Sequence, residues 1–251
     1  MRIVISGTYS TGKTTVTDAL HYLTGVTRTN ARTMRELMPE ALPGKVLEQC
    51  SISELMELCL WRYKDRILSE RQCGDAFISD GSCLHEWVYA RARLKDGVNP
   101  GYGPITRFMS NTLRLPYQPV YNNIFDKLIH AVECHAKDSY DEFVHLPIEF
   151  PIQDDGHRPV SETFRRRTEK MLLGTLDRLK IPYRLIGGSL PERLTKIMEI
   201  YGFPQVMEVD KAIALSRNNS IHIEQEVSQR KEKYIAGMGW PLRTLHGLKR
   251  L

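Results

Sequence analysis

The sequence predicts an α/β fold in which helices cover both faces of a five-stranded parallel sheet, followed by a C-terminal helical appendage. Short apolar segments lie near residues 2, 25, 76, 142 and 183, and segments with helical spacing fill the intervals between them. A glycine-rich sequence also lies directly between the first strand and the first helix. Alternating strands and helices are typical of parallel sheets, in which ligands bind at the carboxyl ends of the strands.

The glycine-rich sequence, residues 7–14, reads GTYSTGKT and matches the phosphate-binding pattern G-x-x-x-x-G-K-[ST]. Backbone N–H groups in such a loop converge on phosphate oxygens, and glycines allow the close approach. The helix predicted from Lys13 to Leu23 points the positive end of its dipole at the same anion. We expect Lys13 to reach the β- and γ-phosphates and the Thr14 hydroxyl to bind Mg²⁺. The predicted nucleotide-binding residues are Gly7, Thr8, Tyr9, Ser10, Thr11, Gly12, Lys13, Thr14 and Thr15.

Composition bounds the class of protein. The 251 residues suffice for one α/β domain and an appendage, and 41% hydrophobic with 26% charged residues is typical of a soluble globular protein. The net charge of +5 comes from Lys and Arg spread along the chain, so it does not indicate nucleic acid binding. Five cysteines without C-x-x-C spacing predict reduced thiols. Met1 leads straight into the first strand and no apolar run approaches a membrane span, so we expect a cytoplasmic protein without a membrane partner.

The segment after the first helix is predicted to form a strand over residues 25–29 and to end in polar residues 30–36. Many nucleotide-binding folds hold the second substrate at this position. Candidates for binding that substrate are Arg32, Arg35 and Glu36. Prolines and a glycine predict a loop over residues 39–44, and helical spacing predicts a helix from Ser51 to about Arg71.

The strand predicted over residues 76–80 ends in a carboxylate, Asp80. A buried strand that delivers an aspartate beside a phosphate-binding loop completes the metal site in enzymes that use nucleoside triphosphates. Asp80 can hold Mg²⁺ through water, or it can take the proton of an acceptor hydroxyl. The alternative is that Asp80 caps the next predicted helix, Leu84 to Arg93.

Residues 96–119 are rich in glycine and proline and predict a long irregular connection of the kind that often forms a lid or binds substrate. Its Tyr and Arg side chains could contact a ligand or be ordinary surface residues. In the helix predicted over residues 124–136, His130 and Cys134 lie one turn apart. No second pair of ligands accompanies them, so a metal site is not expected there.

A basic helix is predicted to begin at Ser161, after a polar turn at residues 154–159. It carries three successive arginines, residues 165–167, which spread around the helix, so at least one must point away from any bound phosphate. The others, with Arg158, are expected to form a lid near residues 154–170 that neutralises charge on the transferring group. A solvated basic helix is the alternative. The predicted catalytic residues are Lys13, Asp80, Arg158 and Arg166.

The last two strands are predicted at residues 142–146 and 183–186. We place one domain at residues 1–202 and the appendage at residues 203–251. Two short helices separated by Asn218–Asn219 are expected in the appendage. It could cap the substrate site or form a homodimer contact, and the sequence does not choose between these roles.

With the loop at residues 7–14, the strand that ends at Asp80 and the turn before the arginine-rich helix, the chain resembles the P-loop kinases of small molecules. It is most similar to the nucleoside kinase and nicotinamide riboside kinase-like group. This resemblance, over about residues 1–202, implies transfer of the γ-phosphoryl group of ATP, with Mg²⁺, to a hydroxyl. It implies Lys13 and Thr14 on phosphate and Mg²⁺, Asp80 near the acceptor or metal, and Arg158 in the lid.

The chain departs from this group at one place, and two other functions stay open. Members often carry a glutamate just after the second strand, whereas residues 29–32 here read TNAR. Either Asp80 is the base, or the acceptor is not a riboside; Arg32 would also suit an acceptor with its own carboxylate or phosphate. The alternatives are an ATPase or switch that acts through a protein partner, and a nucleoside monophosphate kinase that uses Arg28, Arg32 and Arg35.

Overall fold

The computed structural model describes residues 1–43, 45, 50–96, 118–152 and 161–237. The described strands are β1 (Arg2–Gly7), β2 (Phe77–Asp80), β3 (Glu142–Leu146) and β4 (Tyr183–Leu185). In the described residues, three helices lie between β1 and β2, and a fourth follows β2: α1 (Lys13–Thr24), α2 (Met34–Ala41), α3 (Ile52–Cys73) and α4 (Cys83–Asp96). The later helices are α5 (Gln118–Ser139), α6 (Glu162–Leu179), α7 (Leu190–Tyr201) and α8 (Val209–Gly237).

The four strands form one parallel sheet in the order β2-β1-β3-β4, which confirms the predicted α/β class. The strand predicted over residues 25–29 is reduced to a single parallel bridge between Arg28 and Ile78, at the outer edge of β2. The Thr29 N–H donates to the Ile78 carbonyl at 2.9 Å, but the next N–H, of Asn30, donates to Ser69 Oγ at 2.7 Å. The Ser69 side chain of α3 therefore takes the N–H that would continue the pairing with β2. The described residues contain four strands instead of five.

Helices cover both faces of the sheet, because successive strand residues point to opposite sides. Ile3 and Ile5 face a core formed with α1, α7 and the start of α8, whereas Val4 faces a core formed with α3, α4, α5 and α6. These β1 side chains on each face are almost completely buried, and β1 lies between β2 and β3. The phosphate-binding sequence therefore leaves the sheet at an interior strand.

Besides the strand over residues 25–29, two local predictions were wrong. The loop expected around residues 39–44 is in part helix α2, which includes Pro39. Thr33 and Glu36 form a capping box that satisfies the first N–H groups of α2, so the helix starts in spite of its proline. Of the irregular connection predicted over residues 96–119, residues 97–117 lie outside the described residues, whereas Asp96 ends α4 and residues 118–119 begin α5.

The second correction concerns the C-terminal region. Two short helices were expected, but α8 runs without a break from Val209 to Gly237. Ala212 and Ile213 of α8 are buried in the core that also contains β1. The boundary at residue 202 stays a prediction, although this core contains residues from both sides of it. Within the described ranges, none of the helices has the length and apolar character needed to cross a membrane.

Candidate phosphate-binding and catalytic site

The candidate site lies where β1 passes into α1, at residues 7–14, which we call the phosphate loop. Gly7 has φ 146°, and a Cβ there would lie 2.8 Å from the Leu146 carbonyl oxygen of β3. Ser10 and Gly12 also have positive φ, at 55° and 87°. Residues that alternate in this way turn successive N–H groups toward one concavity, which is how backbone nests bind anions. The loop therefore has the backbone form that a phosphate group requires.

Side chains inside the loop contact its backbone. Lys13 Nζ donates a hydrogen bond to the Thr8 carbonyl oxygen at 2.6 Å, and Thr11 Oγ1 donates to the same oxygen at 3.1 Å. Thr8 and Thr11 are completely buried, whereas Lys13 is half-buried. The ammonium group is thus held across the loop, at the start of α1, where its charge adds to the positive end of the helix dipole.

The two predicted metal ligands, Thr14 of α1 and Asp80 of β2, are in direct contact. Thr14 Oγ1 donates to Asp80 Oδ2 at 2.6 Å, and Asp80 pairs in register with Ile5 beside the phosphate loop. Helix α4 begins only at Cys83, and the Asp80 carboxylate faces Thr14. A hydroxyl and a carboxylate are the hard oxygen ligands that Mg²⁺ prefers. The donor set therefore fits Mg²⁺ better than it fits a helix cap.

Two buried arginines hold the phosphate loop from outside. Arg165 of α6 donates through Nη2 to the Ser10 carbonyl oxygen at 3.3 Å, and Arg193 of α7 donates through Nη1 to the Thr11 carbonyl oxygen at 2.6 Å. Their side chains are 0% and 3% exposed. Arg193 was missed by sequence reasoning, because it lies about 180 residues from the loop in an ordinary amphipathic helix and carries no motif.

Residues 149–150, just beyond β3, connect these two arginines. Arg193 Nη2 donates to Glu149 Oε2 at 2.6 Å, and Arg165 Nη1 donates to the Phe150 carbonyl oxygen at 2.7 Å. The Phe150 ring also lies 5.2 Å from the Arg193 guanidinium carbon. The hydrogen bond from Arg193, with a further one from the Gly188 N–H, lowers the pKa of Glu149. The carboxylate therefore stays charged and orients the guanidinium.

The predicted lid arginines are placed unequally. Arg166 and Arg167 are exposed on α6, whereas their neighbour Arg165 is buried against the loop, so the three do point in different directions, as expected. Arg158 lies outside the described residues. A role for Arg158 or Arg166 on the phosphates therefore stays a prediction.

Two of the three predicted acceptor-binding residues, Arg32 and Glu36, contact other groups of the protein. Arg32 donates to Asp65 at 3.0 Å and to Glu40 at 2.6 Å, and the hydrogen bond to Glu40 is the main cause of its raised pKa. Glu36 accepts from Thr33 in the capping box of α2. The side chain of Arg35 lies outside the described residues. Acceptor binding by these residues stays a prediction.

A buried cationic cluster lies next to Asp80. Arg66 donates to the backbone carbonyl of Asp80 at 3.3 Å and to Glu86 at 3.0 Å, and Arg62 donates to the same Glu86 oxygen at 3.0 Å. Burial acts to raise the pKa of Glu86, but Arg66 and then Arg62 outweigh it and lower the pKa to about 2. Two guanidinium groups and one carboxylate leave a net positive charge beside the candidate catalytic aspartate.

Buried histidines lie beneath the loop. Ser6 Oγ lies 3.2 Å from His85 Nε2 and 3.1 Å from His145 Nδ1, and His85 Nδ1 accepts from the Ser82 N–H at 2.9 Å. Burial and then the nearby charge of Lys13 lower the pKa of His85 well below its ordinary value. His85 is therefore neutral at pH 7 and serves as a hydrogen-bonded support for β1.

Helix α8 fastens α1 from behind. Asn219 donates to Asp18 Oδ2 at 2.6 Å, and Arg28 lies 2.6 Å from Asp18 Oδ1. Ser216 Oγ donates to the Thr15 carbonyl oxygen at 2.9 Å, one residue beyond the predicted metal ligand. The predicted nucleotide-binding residue Thr15 is therefore held by its backbone in the α1–α8 contact.

The chain was compared with protein families, curated proteins and solved structures. A family model described as AAA domain matches residues 2–193. No curated protein matches the sequence significantly. Among solved structures, deoxyadenosine kinase from M. mycoides with bound dCTP is 13% identical, with a TM-score of 0.48 over 80% of this chain and 99% of that chain. The same kinase with bound dATP is 13% identical, with a TM-score of 0.44 over 80% and 100%. These structural likenesses are too distant to assign an activity. The family match, in contrast, includes the phosphate loop, all four strands and Arg193. The chain belongs to this AAA domain family.

Proposed function

We propose that the protein is an ATP- and Mg²⁺-dependent kinase that transfers the γ-phosphoryl group to a hydroxyl of a small molecule, with nucleoside-like compounds as the first acceptors to test. The observation that carries the proposal is the 2.6 Å contact between Thr14 and Asp80 at the mouth of the phosphate loop. A phosphoryl transferase requires a nucleotide cradle, metal ligands and a carboxylate near the acceptor. The contact supports the proposal because it joins, beside the loop, a hydroxyl and a carboxylate that could bind the metal or accept the proton of the substrate.

The phosphates would be held by the backbone N–H groups of the loop and by Lys13, whose ammonium already lies across the loop. Thr14, together with Asp80 through a water molecule, would hold Mg²⁺, which would neutralise charge on the triphosphate when bound. The buried cluster of Arg62 and Arg66 adds positive charge behind Asp80. These groups together would stabilise charge on the transferring phosphoryl group.

The acceptor hydroxyl would lose its proton to the Asp80 carboxylate while its oxygen bonds to the γ-phosphorus. The bond from the γ-phosphorus to the bridging oxygen would break, and ADP would leave. Asp80 is half-buried, and its Oδ2 already accepts a hydrogen bond from the Thr14 hydroxyl at 2.6 Å. The same oxygen can therefore accept a hydrogen bond from a substrate alcohol that replaces Thr14 as the donor.

Transfer to a nucleoside monophosphate is less well supported. Such an acceptor requires several arginines that converge on its phosphate. Arg28 is paired with Asp18, and Arg32 is paired with both Asp65 and Glu40. These carboxylates would have to be displaced first, which weighs against this reaction.

The test is mass spectrometry of products after incubation with Mg²⁺-ATP and pooled nucleosides and other alcohols. Lys13→Ala removes the cationic contact, and Asp80→Asn removes the charge while keeping an oxygen that can accept from Thr14. We expect a phosphorylated product that falls by at least about 100-fold in both variants, as is typical when a preorganised electrostatic contact is lost. Asp75→Asn is the matched control, because Asp75 is exposed at the opposite end of β2.

Three results would separate the alternatives. A product that needs Lys13 but not Asp80 would remove Asp80 from the proposed chemistry. Release of ADP and free phosphate at a rate that no acceptor changes would replace the kinase by an ATPase or switch that acts through a protein partner. Full activity in Lys13→Ala would refute nucleotide chemistry at the phosphate loop.

A further inference from the structure

The carbonyl side of the phosphate loop, which faces away from a bound anion, is occupied by side chains that the proposed reaction does not use. In a trans peptide the C=O and the following N–H point in opposite directions. The Ser10 carbonyl accepts from Arg165 and the Thr11 carbonyl accepts from Arg193. The N–H groups on the far side of these two peptides belong to Thr11 and Gly12.

We infer that Arg165 and Arg193 are positioning residues for the phosphate loop, which orient and polarise the Thr11 and Gly12 N–H groups for binding phosphate. This inference rests on the proposed function in one respect only, that the loop binds a nucleotide. Neither arginine has to touch the nucleotide. Each acts through the peptide group whose carbonyl it holds.

The backbone conformation explains why such support is needed. Ser10 and Gly12 are left-handed, at φ 55° and 87°, and Thr11 between them is not. This alternation directs successive N–H groups into one concavity and turns the carbonyl groups outward. Outward carbonyls that are buried require donors, because an unpaired buried carbonyl costs free energy. Arg165 and Arg193 supply these donors from two different helices, α6 and α7.

A charged donor does more than satisfy a carbonyl oxygen. A guanidinium that bonds to a carbonyl draws electron density through the amide, and this makes the N–H of the same peptide a stronger donor. Both arginines are nearly completely buried, so water screens their charge only weakly. The effect should therefore be largest at Thr11 N–H and Gly12 N–H, which face the predicted phosphate site.

Residues 149–150 fix both guanidinium groups in orientation. Glu149 accepts from Arg193, and the Phe150 carbonyl accepts from Arg165. Glu149 also accepts from the Gly188 N–H at 2.9 Å, which ties it to the start of α7. The segment that follows β3 thus contacts both arginines, and Glu162 of α6 also accepts from Arg165 at 3.2 Å. A change at Glu149 should reach the loop through Arg193.

The test measures nucleotide binding and does not depend on turnover. Variants Arg165→Met and Arg193→Met keep side-chain length and remove the donors, and we expect each to weaken ADP binding by about 10- to 100-fold in calorimetric titration, the usual range for a lost charge-assisted hydrogen bond. Arg193→Lys keeps the charge but cannot bond both the loop carbonyl and Glu149, so it should recover part of the affinity. Glu149→Gln should weaken binding by about 3- to 10-fold. Arg178→Met is the matched control, since Arg178 lies near the end of α6 and pairs with Glu133.

Amide proton chemical shifts distinguish polarisation of the loop N–H groups from a purely structural role of the two arginines. In ¹H–¹⁵N spectra, Arg193→Met should shift the Gly12 amide proton upfield, and Arg165→Met should shift that of Thr11, each more than any other loop amide. If the acceptor is known, the KM for ATP should rise while kcat changes little. Folded variants that bind ADP within twofold of the wild type, or that leave both amide protons unmoved, would overturn the inference.

Two further outcomes keep this inference distinct from the proposed function. If Arg193→Met does not fold, ADP binding by Arg193→Lys and Glu149→Gln tests the role of Arg193. Unchanged ADP affinity in both variants would overturn the inference. If the wild type binds ADP but phosphorylates no acceptor, the kinase is refuted while weaker binding by the variants still supports the positioning role. A wild type that binds no adenine or guanine nucleotide would refute both.

Discussion

The substitution Glu86→Gln removes a buried negative charge that two arginines share, and its effect on stability can be worked out from the structure. Glu86 Oε1 accepts from Arg62 Nε and from Arg66 Nη2, each at 3.0 Å. The Arg66 side chain is 1% exposed and that of Glu86 10%. Glutamine keeps the shape and one acceptor oxygen but removes the one carboxylate that bonds to both buried guanidinium groups.

The magnitude follows from the pKa of Glu86. Burial acts to raise this pKa, but Arg66 and Arg62 outweigh it and lower it from the ordinary value of 4.5 to about 2. This difference corresponds to about 3 kcal/mol of folding free energy, at about 1.4 kcal/mol for each pKa unit. It agrees with the ~3–5 kcal/mol that is typical when one partner of a buried ion pair is removed. Because the folded-state pKa is lowered, this stability is present above about pH 4.5 and is lost as the pH falls toward 2.

Urea unfolding followed by circular dichroism between pH 7 and pH 2.5 measures both quantities. At pH 7 the free energy of unfolding of Glu86→Gln should be lower than that of the wild type by about 3 kcal/mol, and the gap should close as the pH approaches 2. Glu57→Gln makes the same charge change on the exposed side of α3 and should stay within about 0.5 kcal/mol of the wild type. A gap below about 1 kcal/mol at pH 7, or one that does not shrink in acid, would refute the assignment of a buried charge cluster beside Asp80.

Other predictions concern α8, the loop glycine and the thiols. Asn219→Ala should lower the free energy of unfolding by about 1–3 kcal/mol in urea, because it removes the amide that donates to the buried Asp18 carboxylate at 2.6 Å. Gly7→Ala should weaken ADP binding by about tenfold or more in calorimetric titration, since its Cβ would lie 2.8 Å from a carbonyl oxygen of β3. A thiol reagent added to the folded protein should modify the exposed Cys134 within minutes and Cys59 only on unfolding. Cys59 should be protected because burial raises the pKa of its thiol to about 12. Peptide mass spectrometry locates the label.

Matched controls exist for these predictions. Ser220→Ala changes a hydroxyl that bonds within α8 and should be nearly neutral, so an equal loss in Asn219→Ala and Ser220→Ala would argue against a specific Asp18 contact. Gly174→Ala places a Cβ in open space on α6 and should leave ADP binding unchanged. Labelling of Cys59 at the rate of Cys134 in the folded protein would contradict the burial of α3 against the sheet.

Much of the fold follows from local sequence signals. The phosphate-loop motif lies within eight consecutive residues, so strand, loop and helix could be predicted without knowledge of distant contacts. The strand that ends at Asp80 and the strands near residues 142 and 183 were found for the same reason, since short apolar runs between helical segments indicate buried parallel strands. Parallel strands place their carboxyl ends at one edge, and this predicted that Asp80 would lie beside Thr14, as their 2.6 Å contact shows.

Only the tertiary structure decided which polar side chains pair with which. Arg165 and Arg193 lie 155 and 182 residues from the carbonyl groups they hold, and a sequence does not reveal a partner at that separation. Arg32 looked suited to an acceptor anion, but Asp65 on α3 and Glu40 on α2 neutralise it. In each case the sequence determined that a charged side chain was present, whereas the packing of helices determined whether burial and a nearby carboxylate would fix its orientation.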